Sequence, residues 1–250
     1  NAASTHHVSA VFDSANGKVV IGYTDQGNSY YGTAIAGTVS GTSISFATES
    51  VFESAYPPWL DAIYDSTNSK VVFGFRDEGN GNKGTGVVFQ VSSTNLTSTN
   101  FVGITAEAIA DTATGKVNPK GGVASSVANI APLISFSAPT EFNNGNTEYI
   151  EIAFDPNNAN KCVICYRDAA QSGYGKAIVG TVSGTSISFG TEAHFNAGST
   201  NRPSLAWDPD NSGKLVIAYC DLGNTSQGTA VVGTVSGTSI SFGSEVIFCT

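Results

Sequence analysis

Gly37–Phe46 reads GTVSGTSISF, and the same ten residues return unchanged at Gly180–Phe189 and Gly233–Phe242. Identity at long range marks a repeat architecture, so the period is read before any local propensity. A second marker is an aspartate followed by a short turn and a Lys-apolar pair. It stands at Asp13, Asp65, Asp111, Asp155 and Asp208, spaced 44 to 53 residues apart. Five repeats, at about 5–52, 57–100, 101–142, 147–195 and 200–248, account for 1–250 as a single domain.

The last repeat displays the unit. Arg202–Trp207 reads as a strand A, DPDNSG (Asp208–Gly213) as a turn, and KLVIAYC (Lys214–Cys220) as strand B. After a loop at Asp221–Gly228 come strand C (Thr229–Ser236), a tight Ser-Gly hairpin and an outer strand D (Thr238–Phe248). Four antiparallel strands repeated radially make a β-propeller blade. The expectation is an all-β, closed five-bladed propeller of four-stranded antiparallel blades. The third blade is degenerate, because Pro119 weakens its strand B. Repeat two loses part of its outer strand around Leu96–Phe101.

Composition agrees with this reading. Only 12% of the residues are charged and Gly numbers 28, which suits short strands and tight turns. A formal net charge of −9 with eleven Lys and Arg argues against a grip on nucleic acid, which needs a basic patch. It argues equally against an anionic membrane surface, and no apolar run is long enough to span a bilayer. The start, NAASTHH, has no signal-peptide pattern and Met is absent, so processing or cutting from a longer precursor is expected. Of the four cysteines, Cys162 and Cys165 look like a CxxC. They lie in an apparent strand, where positions i and i+3 face opposite ways, so packing thiols are expected and not a metal or redox pair. The three histidines lack metal spacing, and neither metal nor cofactor is expected.

Differences between repeats point to one end of the domain. Six residues before each marker aspartate lie His7, Trp59, Thr105, Tyr149 and Arg202; four before it lie Ser9, Asp61, Glu107, Glu151 and Ser204. Strand A is the innermost strand of a blade, so these positions would ring one mouth of a central channel. The B–C loops, which include Tyr30 and Tyr31 and run up to Tyr174, emerge on that same face. Polar and aromatic residues gathered on a rigid scaffold are a usual layout for binding. The candidate ligand-binding set is therefore His7, Tyr30, Tyr31, Trp59, Asp61, Glu107, Tyr149, Glu151, Tyr174 and Arg202. Asp61, Glu107 and Glu151 also admit a glycosidase reading, which needs two carboxylates with divided pKa values. The marker aspartates and Asp25, Asp77, Asp168 and Asp221 are expected to hydrogen-bond the backbone of their own turns.

The period, short chain and one-face variability resemble the tachylectin-type five-bladed propeller lectins, over the whole chain and at the level of architecture. That resemblance implies sugar sites. The wording of the repeat, GTVSGTSISF after GKVVIGYTD-like strands, resembles repeat proteins of marine phages and bacteria, as does Asn95–Val117. That implies a virion or cell surface. The function expected is a non-enzymatic extracellular recognition propeller for a glycan or cell-surface ligand. The alternatives are a structural or receptor-binding virion component assembled into a larger particle, and a propeller glycosidase.

Overall fold

The computed structural model describes residues 3–92, 104–105, 117–118, 133–158 and 160–249. Its described elements are antiparallel strands and short 3-10 turns, with no α-helix among the described residues. The chain divides into a larger body, residues 1–91 with 134–250, and a smaller one, Ser92–Leu133.

Four sheet modules make up the larger body. The first is β1 (Thr5–Asp13), β2 (Lys18–Asp25), β3 (Tyr31–Ser40), β4 (Ser43–Phe46) and β5 (Ser50–Glu53), with β4 and β5 sharing the outer edge of β3. The second begins with β6 (Asp61–Asp65), β7 (Lys70–Asp77) and β8 (Lys83–Ser92). In the smaller body β9 (Ile104–Thr105) pairs with β10 (Val117–Asn118). The second module is then completed by β11 (Leu133–Phe136) and β12 (Thr140–Asn143), both on β8. The third module is β13 (Thr147–Phe154), β14 (Lys161–Asp168), β15 (Tyr174–Ser183) and β16 (Ser186–Phe189), edged by the start of β17 (Ala193–Trp207). The rest of β17 is the first strand of the fourth module, which continues through β18 (Lys214–Asp221), β19 (Gln227–Ser236), β20 (Ser239–Phe242) and β21 (Val246–Cys249).

This pairing crosses one of the expected repeat boundaries. Strands β11 and β12, from residues assigned above to repeat three, pair with β8 of the second module. The predicted second and fourth repeats are also direct neighbours, because the Ile152 amide donates to Asp61 Oδ2 (3.1 Å). The Gly-Thr pair that closes the C–D hairpin in the other three modules does not follow Ser92, and the next strand on β8 is β11, from Leu133. The marker Asp111, the outer-strand stretch Leu96–Phe101 and Pro119 lie outside the described residues.

Turn chemistry follows the residues. Asp13, Asp65, Asp155 and Asp208 each accept backbone N–H groups two or three residues on, and the side-chain amides of Asn16, Asn68 and Asn211 close three of these turns at 2.6–2.8 Å. Asp25, Asp77, Asp168 and Asp221 do the same at the B–C loops. The C–D hairpins pair Ser40 with Ser43, Ser183 with Ser186 and Ser236 with Ser239. Two residues remain in each loop, and the first is a glycine with φ near +60° (Gly41, Gly184, Gly237), which a side chain would strain.

Three apolar layers lie between successive modules. Strands β7 and β14 are therefore buried on both faces, which explains their unbroken apolar runs. Cys162 joins the layer between the second and third modules and Cys165 the layer between the third and fourth, so the two thiols face opposite ways. Both are free, and burial pushes the Cys162 thiol up to about 12, which keeps it a packing group.

Candidate functional site

The first strand of three modules carries the same irregularity. Pairing shifts between His6 and Ser9, between Glu148 and Glu151, and between Asn201 and Ser204. In each case two residues oppose one on the neighbouring strand, which is a β-bulge. Its first residue sits in the left-handed region: His7 at φ 47°, Tyr149 at 51°, Arg202 at 47°, and Trp59 at 59° at the matching point before β6. None is glycine, and the conformation costs about 1–2 kcal/mol per residue. A strain repeated four times at one position is held by the fold, and it sets these four side chains apart from the regular pleat.

Three of the four meet in a line of rings. Trp59 lies 4.4 Å from Tyr149 and 6.0 Å from His7 between ring centroids. The line continues from His7 to Tyr56 (5.7 Å), from Tyr56 to Tyr30 (5.8 Å) and from Tyr30 to His6 (6.3 Å). His7 Nε2 and the Tyr56 hydroxyl are hydrogen-bonded at 2.9 Å. Six rings therefore run across three modules. Beside them Arg76 pairs with Glu78 (2.5 Å) and approaches Glu148 (3.8 Å), which also holds Arg167. The N–H groups of Trp59 Nε1, Arg76 Nε and Arg167 Nε have no hydrogen-bond partner among the described residues.

The predicted residues divide accordingly. His7, Tyr30, Trp59 and Tyr149 come together, and Arg202 holds the equivalent position, exposed, on the fourth module. Tyr31 and Tyr174 open β3 and β15. Tyr174 meets His194 edge-on at 5.4 Å instead of joining the line. Glu107 lies outside the described residues. Asp61 and Glu151 join modules: Asp61 accepts from Ser9 Oγ and the Ile152 amide, and Glu151 from Ser204 Oγ and the Leu205 amide, all at 3.1 Å. Burial raises both carboxyls, against those hydrogen bonds. Tyr56 and His6 were missed from sequence. Tyr56 precedes Pro57, Pro58 and Trp59 in a loop, and a bulky aromatic beside Trp59 was the signal available. A separate concavity of about 710 Å³, lined in part by Phe142, Asn143, Gln171, Thr191 and Glu192, contains none of the predicted site residues.

His7 gives a pH prediction. Burial, then the charges of His6 and Arg76, hold its imidazole below the ordinary 6.5. The unfolded chain thus binds the proton more readily, so stability supplied by neutral His7 is present above pH 6.5 and is lost as pH falls below it. The melting temperature should decline on acidification through this window, and His7→Gln should flatten the decline. Asp61 and Glu151, whose carboxyls are raised, contribute with the opposite sign and at lower pH.

The described residues define an all-β protein of antiparallel sheet modules. No protein-family model and no curated protein sequence matches the chain. Among solved structures it is similar to Sqt1 of Chaetomium thermophilum, with a TM-score of 0.53 and 13% identity over 94% of this chain and 45% of that one. A second structure of that protein gives 0.52 and 15%, over 93% and 43%. The chain thus spans less than half the length of the protein it resembles.

Proposed function

We propose that the modules are propeller-type blades and that the chain is an extracellular or virion-surface recognition protein, binding carbohydrate along the ring line from Tyr30 to Tyr149. The observation that carries this reading is the recurring left-handed bulge, which places His7, Trp59 and Tyr149 at one position of successive modules. Aromatic faces stack on the apolar face of a sugar ring. The guanidinium and carboxylate groups of Arg76, Glu148 and Arg167 are suited to orienting hydroxyls.

The test is a glycan array followed by calorimetry on the parent and Trp59→Ala. A stacked ring contributes about 0.5–1.5 kcal/mol beyond its burial, so affinity should fall about two- to twelve-fold. Circular dichroism controls for folding. Unchanged affinity in a folded variant, or no glycan bound by the parent, overturns the proposal.

A further inference from the structure

Each apolar layer between modules is built from the same two faces of the repeat. The downstream face presents small residues and one outer-strand phenylalanine: Val20 and Phe52 in the first module, Val72 and Phe142 in the second, Val163 and Phe195 in the third. The upstream face of the next module presents bulkier ones, such as Phe73, Ile164 and Ile217. The phenylalanine seats against an aromatic of that next face each time: Phe52 on Phe75 at 5.3 Å, Phe142 on Tyr166 at 5.3 Å and Phe195 on Tyr219 at 5.1 Å.

The pattern continues past both ends of the row. Phe248 is the fourth phenylalanine, and it lies over Gly228 as Phe52 lies over Gly32, Phe142 over Gly84 and Phe195 over Gly175. Its three counterparts are 8%, 5% and 4% exposed, whereas Phe248 is 65% exposed. Val216 and Val232, on the same downstream face, are 41% and 48% exposed. At the other end, Val8, Phe12 and Phe46 of the first module's upstream face are 58%, 55% and 50% exposed. There a depression of about 250 Å³ is lined by Val8, Ile21, Tyr23, Ile35 and Phe46. Tyr23 is the repeat equivalent of Phe75, Tyr166 and Tyr219.

We infer that two copies of this chain join head to tail, the fourth module of one against the first module of the other, with Phe248 seated in the depression beside Tyr23 of the second copy. The contact reproduces a layer already made three times within the chain. Both free faces are exposed in the same molecule, so the fourth module does not cover the first. Like faces would not fit, because one is bulky and the other small. Apolar patches of this kind mark association sites, and a contact between unlike faces is heterologous, closing into a ring or continuing as a filament.

Sedimentation and light scattering on the intact chain test this. The parent should show at least twice the monomer mass at micromolar concentration and above. Phe248→Asp and Phe46→Asp should each be monomeric alone. Mixed in equal amounts they should regain association, capped at one copy of each, since each retains the face that the other lacks. Val232→Asp and Phe12→Asp supply the same test if a first variant misfolds. A parent that stays monomeric overturns the inference. So does association by either variant alone, because like faces then meet, and so does a mixture that stays monomeric while the parent associates, because the two intact faces then do not fit each other.

Discussion

Phe73→Ala should lower the unfolding free energy by about 3–5 kcal/mol, the range for deleting a fully buried phenylalanine. Phe73 has no exposed surface. It stacks on Phe52 with centroids 5.2 Å apart and planes 3° from parallel, and meets Phe89 edge-on at 5.9 Å. Its ring also fills the space above Gly22, where an added Cβ would lie 2.5 Å from Cε1. Two consequences follow for urea unfolding. Gly22→Ala alone should destabilise through overpacking, and it should cost less, or gain, when combined with Phe73→Ala, because the methyl then enters the vacated space. Additive costs would show that the two positions do not share one cavity.

Asp168→Ala should cost about 3–5 kcal/mol, since it breaks a buried ion pair and leaves Lys176 with Glu192 as its only carboxylate. Lys176 and Asp168 are 1% and 2% exposed at their side chains, and Nζ lies 2.9 Å from Asp168 Oδ2 and 2.6 Å from Glu192 Oε1. Burial alone would lower the lysine; its hydrogen bonds to Glu192 and Asp168 outweigh burial and hold it above its ordinary value. Removing Asp168 also strips the acceptor from the Ala170 and Gln171 amides. Lys176→Thr should cost far less, about 2 kcal/mol or under. Thr33, Thr85 and Thr229 occupy the same position, buried, in the other modules, and Asp25, Asp77 and Asp221 hold their loops there without a lysine. Thermal unfolding of both variants decides it, and equal losses would contradict the asymmetry.

The strands, the aspartate turns and the opposed thiols were legible because each depends on neighbours in sequence. The pairing of β11 and β12 with β8 was not, because a period count gives the spacing of repeats and not the strand that a distant segment joins. The clue available was LISF at Leu133–Phe136, which matches the SISF of the outer strands. The candidate site was half legible. The column holding His7, Trp59 and Tyr149 was found by comparing repeats, but its left-handed backbone was not, since tryptophan, tyrosine and arginine give no signal for it and a single histidine only a weak one. The carboxylates of Asp61 and Glu151 were read as facing the mouth because a strand pattern gives the face of a side chain but not the amide it reaches in the next module.

The bulge has a consequence for how such a protein changes. At that one point four modules tolerate an imidazole, an indole, a phenol and a guanidinium on nearly the same backbone. Most residues that build the layers between modules lie in other columns, and of the four only Trp59 also packs against a layer, the one between the second and third modules. If this column binds a ligand as proposed, its chemistry can be rewritten one letter at a time with little respelling of the sheets beneath it, Trp59 being the letter that both scripts share.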